Sequence, residues 1–259
     1  MLPIVDVQKL SEYKIDSLCW RGSVAHGTVL PDKTIDDYDL IGVALPDLDN
    51  YFGITEWGSR GTVEIKEGKW DVVLYEPIKF VRLLLKGNPN VLHLLWADDF
   101  LYVTKGTIIS TLIVYRDIFK SKQYYHTVKG YAYSQLTDMN RPVSNKAFSS
   151  AERQAIFTEH GYDPKDASHT VRILKMGVEF LTTGGFTVRR DEDLDELLSI
   201  KKGEWTKEEV VNRANDLFEK LKEARDQSSL PDEPDYSAAS KLITLLMKQH
   251  FFKEVLNNA

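Results

Sequence analysis

Short apolar runs alternate with polar turns along the first hundred residues, a pattern typical of strands joined to helices. It predicts strands at residues 15–20, 39–45, 62–66 and 70–75, the last two joined by a hairpin turn at Glu67-Gly68-Lys69. Pro77 suits the first turn of a helix. We expect that helix to end at Gly87, because Asn88-Pro89 blocks its continuation.

Beyond about residue 106 the apolar positions follow the spacing of α-helices. Helices are predicted at residues 108–119, 122–137, 167–182, 207–226 and 237–256. Thr206 followed by Glu209 has the spacing of a capping box, which supports a helix start there. The chain is therefore predicted to be α+β, with an α/β head carrying a short mixed sheet at residues 1–105 and an α-helical domain at residues 106–259.

Composition and charge narrow the functional classes. The chain has 259 residues and a formal net charge of -6, which disfavours non-specific binding of nucleic acid but leaves a local basic groove open. Its single cysteine, Cys19, excludes an internal disulfide framework and a cysteine-rich zinc site. The N-terminus lacks a signal-peptide pattern, and no run reaches the ~18 apolar residues of a membrane span. We expect a cytoplasmic protein without a membrane segment.

A glycine-rich turn follows the first predicted strand. Arg21, Gly22 and Ser23 begin it, and Gly27 and Thr28 end it. Glycines allow a sharp turn and a close approach to an anion, while hydroxyls and backbone amides face phosphate oxygens. The Lys-Ser/Thr pair of a Walker loop is absent, and such a turn by itself is usually only a turn.

Carboxylates at the start of the second strand favour a functional role for this turn. Asp37 and Asp39 are two residues apart, so in an extended strand both side chains face the same way. Oxygen donors of this kind are the ligands that Mg²⁺ prefers. Asp71 supplies a third carboxylate, and Glu64 on the other strand of the hairpin competes for that role. A solvated acidic loop is the alternative, although the apolar run at 40–45 places Asp39 at the entrance of a core strand.

Basic residues recur at helical spacing in two predicted helices. They are Lys79, Arg82 and Lys86 in the first helix, and Lys165, His169 and Arg172 in the second. Periodicity alone favours solvated faces for both stripes. Two tyrosine-rich segments, Tyr124-Tyr125-His126 and Tyr131-Ala132-Tyr133, are compatible with base stacking or with packing in a helical core.

The Gly-Ser turn, the Asp-x-Asp pair and a third strand carboxylate together resemble the DNA polymerase β-like nucleotidyltransferase superfamily. The chain more closely resembles a family of predicted nucleotidyltransferases of bacteria and phages, some of them encoded beside RNA-repair enzymes. Further matching blocks extend over most of the chain. They lie at residues 79–90, 165–172, 181–184 and 203–205.

The resemblance implies a Mg²⁺-dependent transfer of a nucleoside monophosphate from an NTP to an acceptor hydroxyl, with RNA or tRNA as candidate acceptors. Asp37, Asp39 and Asp71 would hold two Mg²⁺ ions, and the helical domain would close the active-site cleft. Nucleotide phosphates would be bound by a set of polar and basic residues. That set is Arg21, Gly22, Ser23, Thr28, Lys86, Lys165, His169 and Arg172. A catalytically silent nucleotide or RNA sensor, or an antitoxin-like protein that binds a partner protein, remains the alternative.

Overall fold

The computed structural model describes residues 2–31, 35, 37–141 and 151–258. The chain divides into two compact units. The sheet unit comprises residues 1–26, 35–120 and 234–259, and the helical unit comprises residues 27–34 and 121–233. Each unit is thus assembled from segments that are separated in sequence.

The described residues of the sheet unit contain one five-stranded mixed sheet with the strand order β3-β4-β2-β1-β5. Its strands are β1 (Ile15–Trp20), β2 (Tyr38–Ala44), β3 (Thr62–Glu67), β4 (Trp70–Tyr75) and β5 (Tyr102–Lys105). The neighbours β2 and β4 are parallel, and the other neighbouring pairs are antiparallel. The α+β class and the mixed sheet are therefore confirmed, as are the four predicted strands. The short and mostly exposed β5 was not predicted, because it has no alternation of apolar and polar residues.

The hairpin between β3 and β4 differs from its prediction by one residue. Glu67 pairs with Trp70, so the turn contains only Gly68 and Lys69. Gly68 has φ of +59°, as the first central position of a type II′ turn requires. The shorter turn places Lys66 opposite Asp71.

The helices follow one another along both units. In chain order they are α1 (Gly22–His26), α2 (Leu48–Phe52), α3 (Pro77–Leu85), α4 (Pro89–Leu92), α5 (Thr107–Val114), α6 (Tyr124–Met139), α7 (Ala151–His160), α8 (Pro164–Thr183), α9 (Leu194–Lys201), α10 (Lys207–Gln227) and α11 (Tyr236–Asn258). The helix predicted at 108–119 is interrupted at Tyr115, after which Arg116–Phe119 forms a 3₁₀ turn. The predicted capping box of α10 is confirmed by hydrogen bonds between Thr206 and Glu209. Among the described residues, none of these helices is both long enough and apolar enough to cross a membrane.

Two helices downstream of residue 105 belong to the sheet unit, which differs from the single domain boundary predicted there. The buried Asp16 of β1 accepts hydrogen bonds from the amides of Ile108 and Ile109, and so caps the start of α5. The C-terminal α11 packs against α3, and the ring of Phe251 lies 5.2 Å from that of Tyr51. Because these contacts join residues far apart in sequence, a change in helical content along the chain does not mark the boundary.

The helical unit is built around α8, which packs against α6, α9 and α10. Asp163 caps its first turn, and Gly184 ends it with φ of +77°. A Cβ atom at Gly177 would lie less than 3 Å from Val128 of α6 and from Leu221 of α10, so this glycine permits close packing of the three helices. Since neighbours surround α8, its apolar face is buried, and the basic stripe runs from the exposed Lys165 through the half-buried His169 to the buried Arg172.

Candidate functional site

Four charged residues form a row across the sheet, at the end where β2 and β4 begin. Asp39 of β2 lies directly opposite Asp71 of β4, and Lys66 of β3 lies opposite Asp71 on the other side. Directly paired residues point to the same face of a sheet, and neighbouring strands lie about 4.8 Å apart. Arg21 follows β1, and its amide donates to the backbone oxygen of Asp39 at 3.0 Å. The row therefore places two carboxylates between two cationic residues.

Arg21 bridges the two carboxylates. Its Nη2 atom lies 3.2 Å from Oδ1 of Asp71 and 3.6 Å from Oδ1 of Asp39. All three side chains are partly buried, so their charges are screened less than those of an exposed ion pair. The buried Nε of Arg21 has no hydrogen-bond partner among the described residues. Two adjacent carboxylates repel each other unless a cation lies beside them, and here Arg21 supplies it.

An aromatic cluster on the opposite face aligns the strand ends. Tyr38 pairs with Trp70 in the residues just before the two aspartates, and their ring centroids lie 4.6 Å apart. The ring of Trp20 lies 5.8 Å from that of Trp70 and is almost completely buried. A slip of one residue would exchange the two faces of the strand, so this packing fixes which face the carboxylates occupy.

Gly22 leaves the space in which the Asp39 carboxylate lies. It has φ of +65°, a left-handed conformation that glycine adopts without strain. A Cβ atom at this position would lie less than 3 Å from Oδ2 of Asp39. The half-buried Ser23 follows in the first turn of α1. The structure thus brings Arg21, Gly22 and Ser23 together with Asp39 and Asp71.

Asp37 and Glu64 lie outside this pair. Asp37 is exposed and precedes β2 by one residue, and Glu64 is exposed on β3 opposite Val73. Within the described ranges, no three His, Cys, Asp or Glu side chains lie close enough together to hold a metal ion. The two oxygen donors of Asp39 and Asp71 nevertheless fit a divalent cation, since they already face a positive charge in Arg21.

Two further predicted residues, Thr28 and Lys86, lie on other elements of the chain. Thr28 belongs to the helical unit, where it is buried and its backbone oxygen accepts a hydrogen bond from Lys201 Nζ at 2.7 Å. Lys86 is exposed at the C-terminal end of α3. On the same helix, Lys79 donates to the backbone oxygen of Arg60 at 3.2 Å. Asn88 accepts from the amide of Asn90, so this segment forms the cap of α4.

The basic stripe of α8 contains a buried cation without a carboxylate partner in the described part of the helical unit. Arg172 is 7% exposed, and among the described residues its Nη atoms hydrogen-bond to the sulfur of Met176 and the ring of His169, while Asp193 acts on it only through its charge. Burial lowers the pKa of Arg172 to about 10. Burial, followed by the charges of Arg172 and Lys165, holds the pKa of His169 well below its usual value. His169 is therefore neutral at pH 7 and can accept a hydrogen bond from Arg172.

Arg190 is a second buried arginine, and its surroundings differ from those of Arg172. It is 5% exposed and donates to both oxygens of Glu179 and to both oxygens of Asp193. These carboxylates raise the pKa of Arg190 above its already high value, in opposition to burial, which lowers it. Arg190 is thus saturated by structural partners, whereas Arg172 keeps donor capacity for an anion.

The sequence analysis did not single out Lys66, the outer cation of the row. A two-residue turn at Gly68-Lys69 would have identified it, because that turn pairs Lys66 with Asp71. The predicted three-residue turn would instead pair Lys66 with Trp70.

Known proteins are similar to this chain over most of its length. A protein of Methanocaldococcus jannaschii that is described as uncharacterized is 27% identical to this chain over 233 residues, which cover 83% of this chain and 88% of that protein. The model of a family described as the RNA repair pathway DNA polymerase beta family matches residues 5–248. The chain therefore belongs to the RNA repair pathway DNA polymerase beta family.

Proposed function

We propose that this protein transfers a nucleoside monophosphate from an NTP to an acceptor hydroxyl and releases pyrophosphate. The observation that carries the proposal is the direct pairing of Asp39 with Asp71 beside the Gly22 turn. Membership of a polymerase β family supports the same class of chemistry. Phosphoryl transfer depends mainly on positioning and charge neutralisation, which such a cluster provides.

In this proposal, Asp39 and Asp71 would bind Mg²⁺ directly. Asp37, which is exposed one residue before β2, would have to turn toward them to supply the third carboxylate of a two-ion site. The metal would neutralise charge on the triphosphate and activate the acceptor hydroxyl. The acceptor oxygen bonds to the α-phosphorus, and the bond from that phosphorus to the bridging oxygen breaks. Pyrophosphate leaves with the electron pair, and the hydroxyl proton passes to Asp71.

The remaining predicted residues would bind phosphates. Arg21, which lies beside both carboxylates, would pair with the triphosphate when these carboxylates hold a divalent cation. Gly22 and Ser23 provide backbone amides and a hydroxyl beside it. In the helical unit, the unsaturated donors of Arg172 support a phosphate-binding role that would include Lys165 and His169. Thr28 and Lys86 are retained as further candidates for contacts with the nucleotide.

The test is an incubation of the full chain with Mg²⁺ and α-phosphate-labelled NTPs against separate pools of cellular RNA, protein and small molecules. We expect label to enter one pool, and Asp39→Asn and Asp71→Asn each to reduce the rate by about 100-fold or more. Asp117→Asn is the matched control, because this exposed aspartate pairs only with Lys120 among the described residues. It should retain the rate of the wild type.

Three outcomes separate the alternatives. Equal labelling by the wild type and both carboxylate variants would refute the proposal. Loss of labelling in Glu64→Gln but not in Asp71→Asn would show that Glu64 of β3, and not Asp71, acts as the third carboxylate. Saturable NTP binding without label in any pool would instead favour a silent sensor.

A further inference from the structure

A groove runs along the exposed face of α6 in the helical unit. Its volume is about 460 Å³, within the range of small-ligand sites. The residues that line it, called here the α6 face, are His126, Lys129, Gly130, Tyr133, Ser134 and Thr137. They follow helical spacing, and all six are exposed. The α6 face is thus a continuous surface on one rigid element.

Gly130 keeps the floor of this groove open. A glycine in the exposed interior of a helix is destabilising relative to alanine. Here the backbone does not require glycine, because Gly130 is not among the residues with positive φ. Among the described residues, no atom lies within 4 Å of the place where its Cβ would be. Packing in the described fold therefore does not require glycine here, and the open position leaves the helix backbone accessible.

Tyr133 is exposed, unlike the two tyrosines that begin α6. Tyr124 and Tyr125 are buried, so packing in the helical core is confirmed for them. Tyr133 is 65% exposed, although its ring centroid lies 6.1 Å from that of Phe218 on α10. An aromatic ring that is held by a neighbour and still exposed is suited to stacking on an unpaired base.

The charges of the α6 face complement a phosphate backbone. Lys129 and His126 line the groove, and none of its lining side chains is acidic, although the net charge of the chain is -6. Lys129 Nζ lies 5.7 Å from the centroid of the Tyr125 ring, and the Arg225 guanidinium, which is paired with Asp226 at 2.6 Å, lies 4.4 Å from the same centroid. A groove lined by a lysine and one exposed ring, without an acidic side chain, is poorly suited to an apolar helix and matches the chemistry of nucleic-acid strands.

We propose that the α6 face binds a single strand of nucleic acid, with a base stacked on Tyr133 and the backbone passing over Gly130 next to Lys129. A single strand is required because stacking on a side chain needs a base that is free of its neighbours. If the proposed nucleotidyl transfer is correct, the strand bound here is its acceptor, and this assignment rests on that proposed function. The binding surface stands on its own observations.

The experiment measures the fluorescence anisotropy of labelled single strands of roughly 12 nucleotides, as RNA and as DNA, with the full chain. Gly130→Lys and Gly130→Glu form a matched pair, because both fill the same open position and both favour helix. We expect Gly130→Glu to weaken binding by about tenfold or more and Gly130→Lys to preserve or strengthen it. Tyr133→Ala should weaken binding by about fivefold or more, while an unlabelled duplex should compete poorly.

Equal affinities of the lysine and glutamate variants, unchanged binding by Tyr133→Ala, or no binding of either strand by the wild type would each overturn the proposal. The preferred strand, RNA or DNA, identifies the sugar of the acceptor. Asp117→Asn should bind normally, since this exposed aspartate pairs only with Lys120 among the described residues. Normal strand binding without nucleotidyl transfer would refute the proposed function alone, and transfer without binding at the α6 face would refute this inference alone.

Discussion

Replacing Gly22 by alanine tests whether this turn creates the space for Asp39. The substitution introduces two costs, a left-handed backbone at φ of +65° and a Cβ atom less than 3 Å from the Asp39 carboxylate. A non-glycine residue in the left-handed region costs about 1–2 kcal/mol. Displacing a packed group adds about 1–3 kcal/mol. Lower entropy of the unfolded chain offsets these costs by about 0.4–1 kcal/mol, so we expect a net loss of about 1–4.5 kcal/mol.

Two other glycines separate these contributions under the same chemical change. Gly68 has φ of +59°, but no described atom lies within 4 Å of its hypothetical Cβ, so Gly68→Ala measures the backbone cost alone, about 0.5–1.5 kcal/mol. Gly130 also has open space and lacks a positive φ. Gly130→Ala should therefore stabilise the protein by about 0.5–1 kcal/mol.

Hydrogen–deuterium exchange of β2 peptides reports the local opening free energy of the strand that carries Asp39. Urea unfolding gives the stability of the whole chain, and NTP labelling gives the rate. We expect Gly22→Ala to increase exchange in β2 and to reduce labelling by about tenfold or more, because the displaced carboxylate no longer faces Asp71. If Gly22→Ala has no larger effect than Gly68→Ala on either β2 exchange or labelling, the steric argument is wrong.

Substitutions at three further positions test the charged groups. Arg21→Gln should lower thermal stability by about 1 kcal/mol without divalent ions and enlarge the stabilisation by added Mg²⁺; an unchanged Mg²⁺ response in thermal melts would contradict this. The lowered pKa of His169 means that the unfolded chain binds more protons than the native one as pH falls below about 6.5, so stability should fall by up to about 1.4 kcal/mol per pH unit there. Urea titrations at several pH values should show that the free energy of unfolding depends less steeply on pH in His169→Gln than in the wild type. Arg190→Met should cost about 3–5 kcal/mol, because Glu179 loses its guanidinium partner and Asp193 is left with Lys175 alone, and Arg190→Lys should cost less in the same titrations.

Local signals in the sequence determined the strands and most helix ends. Apolar runs predicted the bounds of β1 and β4, and side-chain caps predicted the starts of helices such as the one at Thr206. Asp37 and Asp39 were recognised as candidate metal ligands for the same reason, because residues two apart on one strand face the same way. These features arise from interactions within a few residues, which a linear pattern contains.

Register and burial depended on contacts between distant segments. The pairing of Asp39 with Asp71 requires β2 and β4 to be adjacent and parallel, and the position of Lys66 depends on a turn shorter by one residue than predicted. The exposure of Tyr133, in contrast to the buried Tyr124, follows from which side of α6 packs against α8.

The sequence by itself determined the class of fold, the membership of the family and the residue types of the candidate site. Only the tertiary structure decided that Arg21 neutralises the two aspartates, that Arg172 is buried without a carboxylate in the described residues, and that α5 and α11 belong with the sheet. The physical reason is that charge pairing and burial depend on distances through space. Those distances are set by packing between segments that are far apart in the chain.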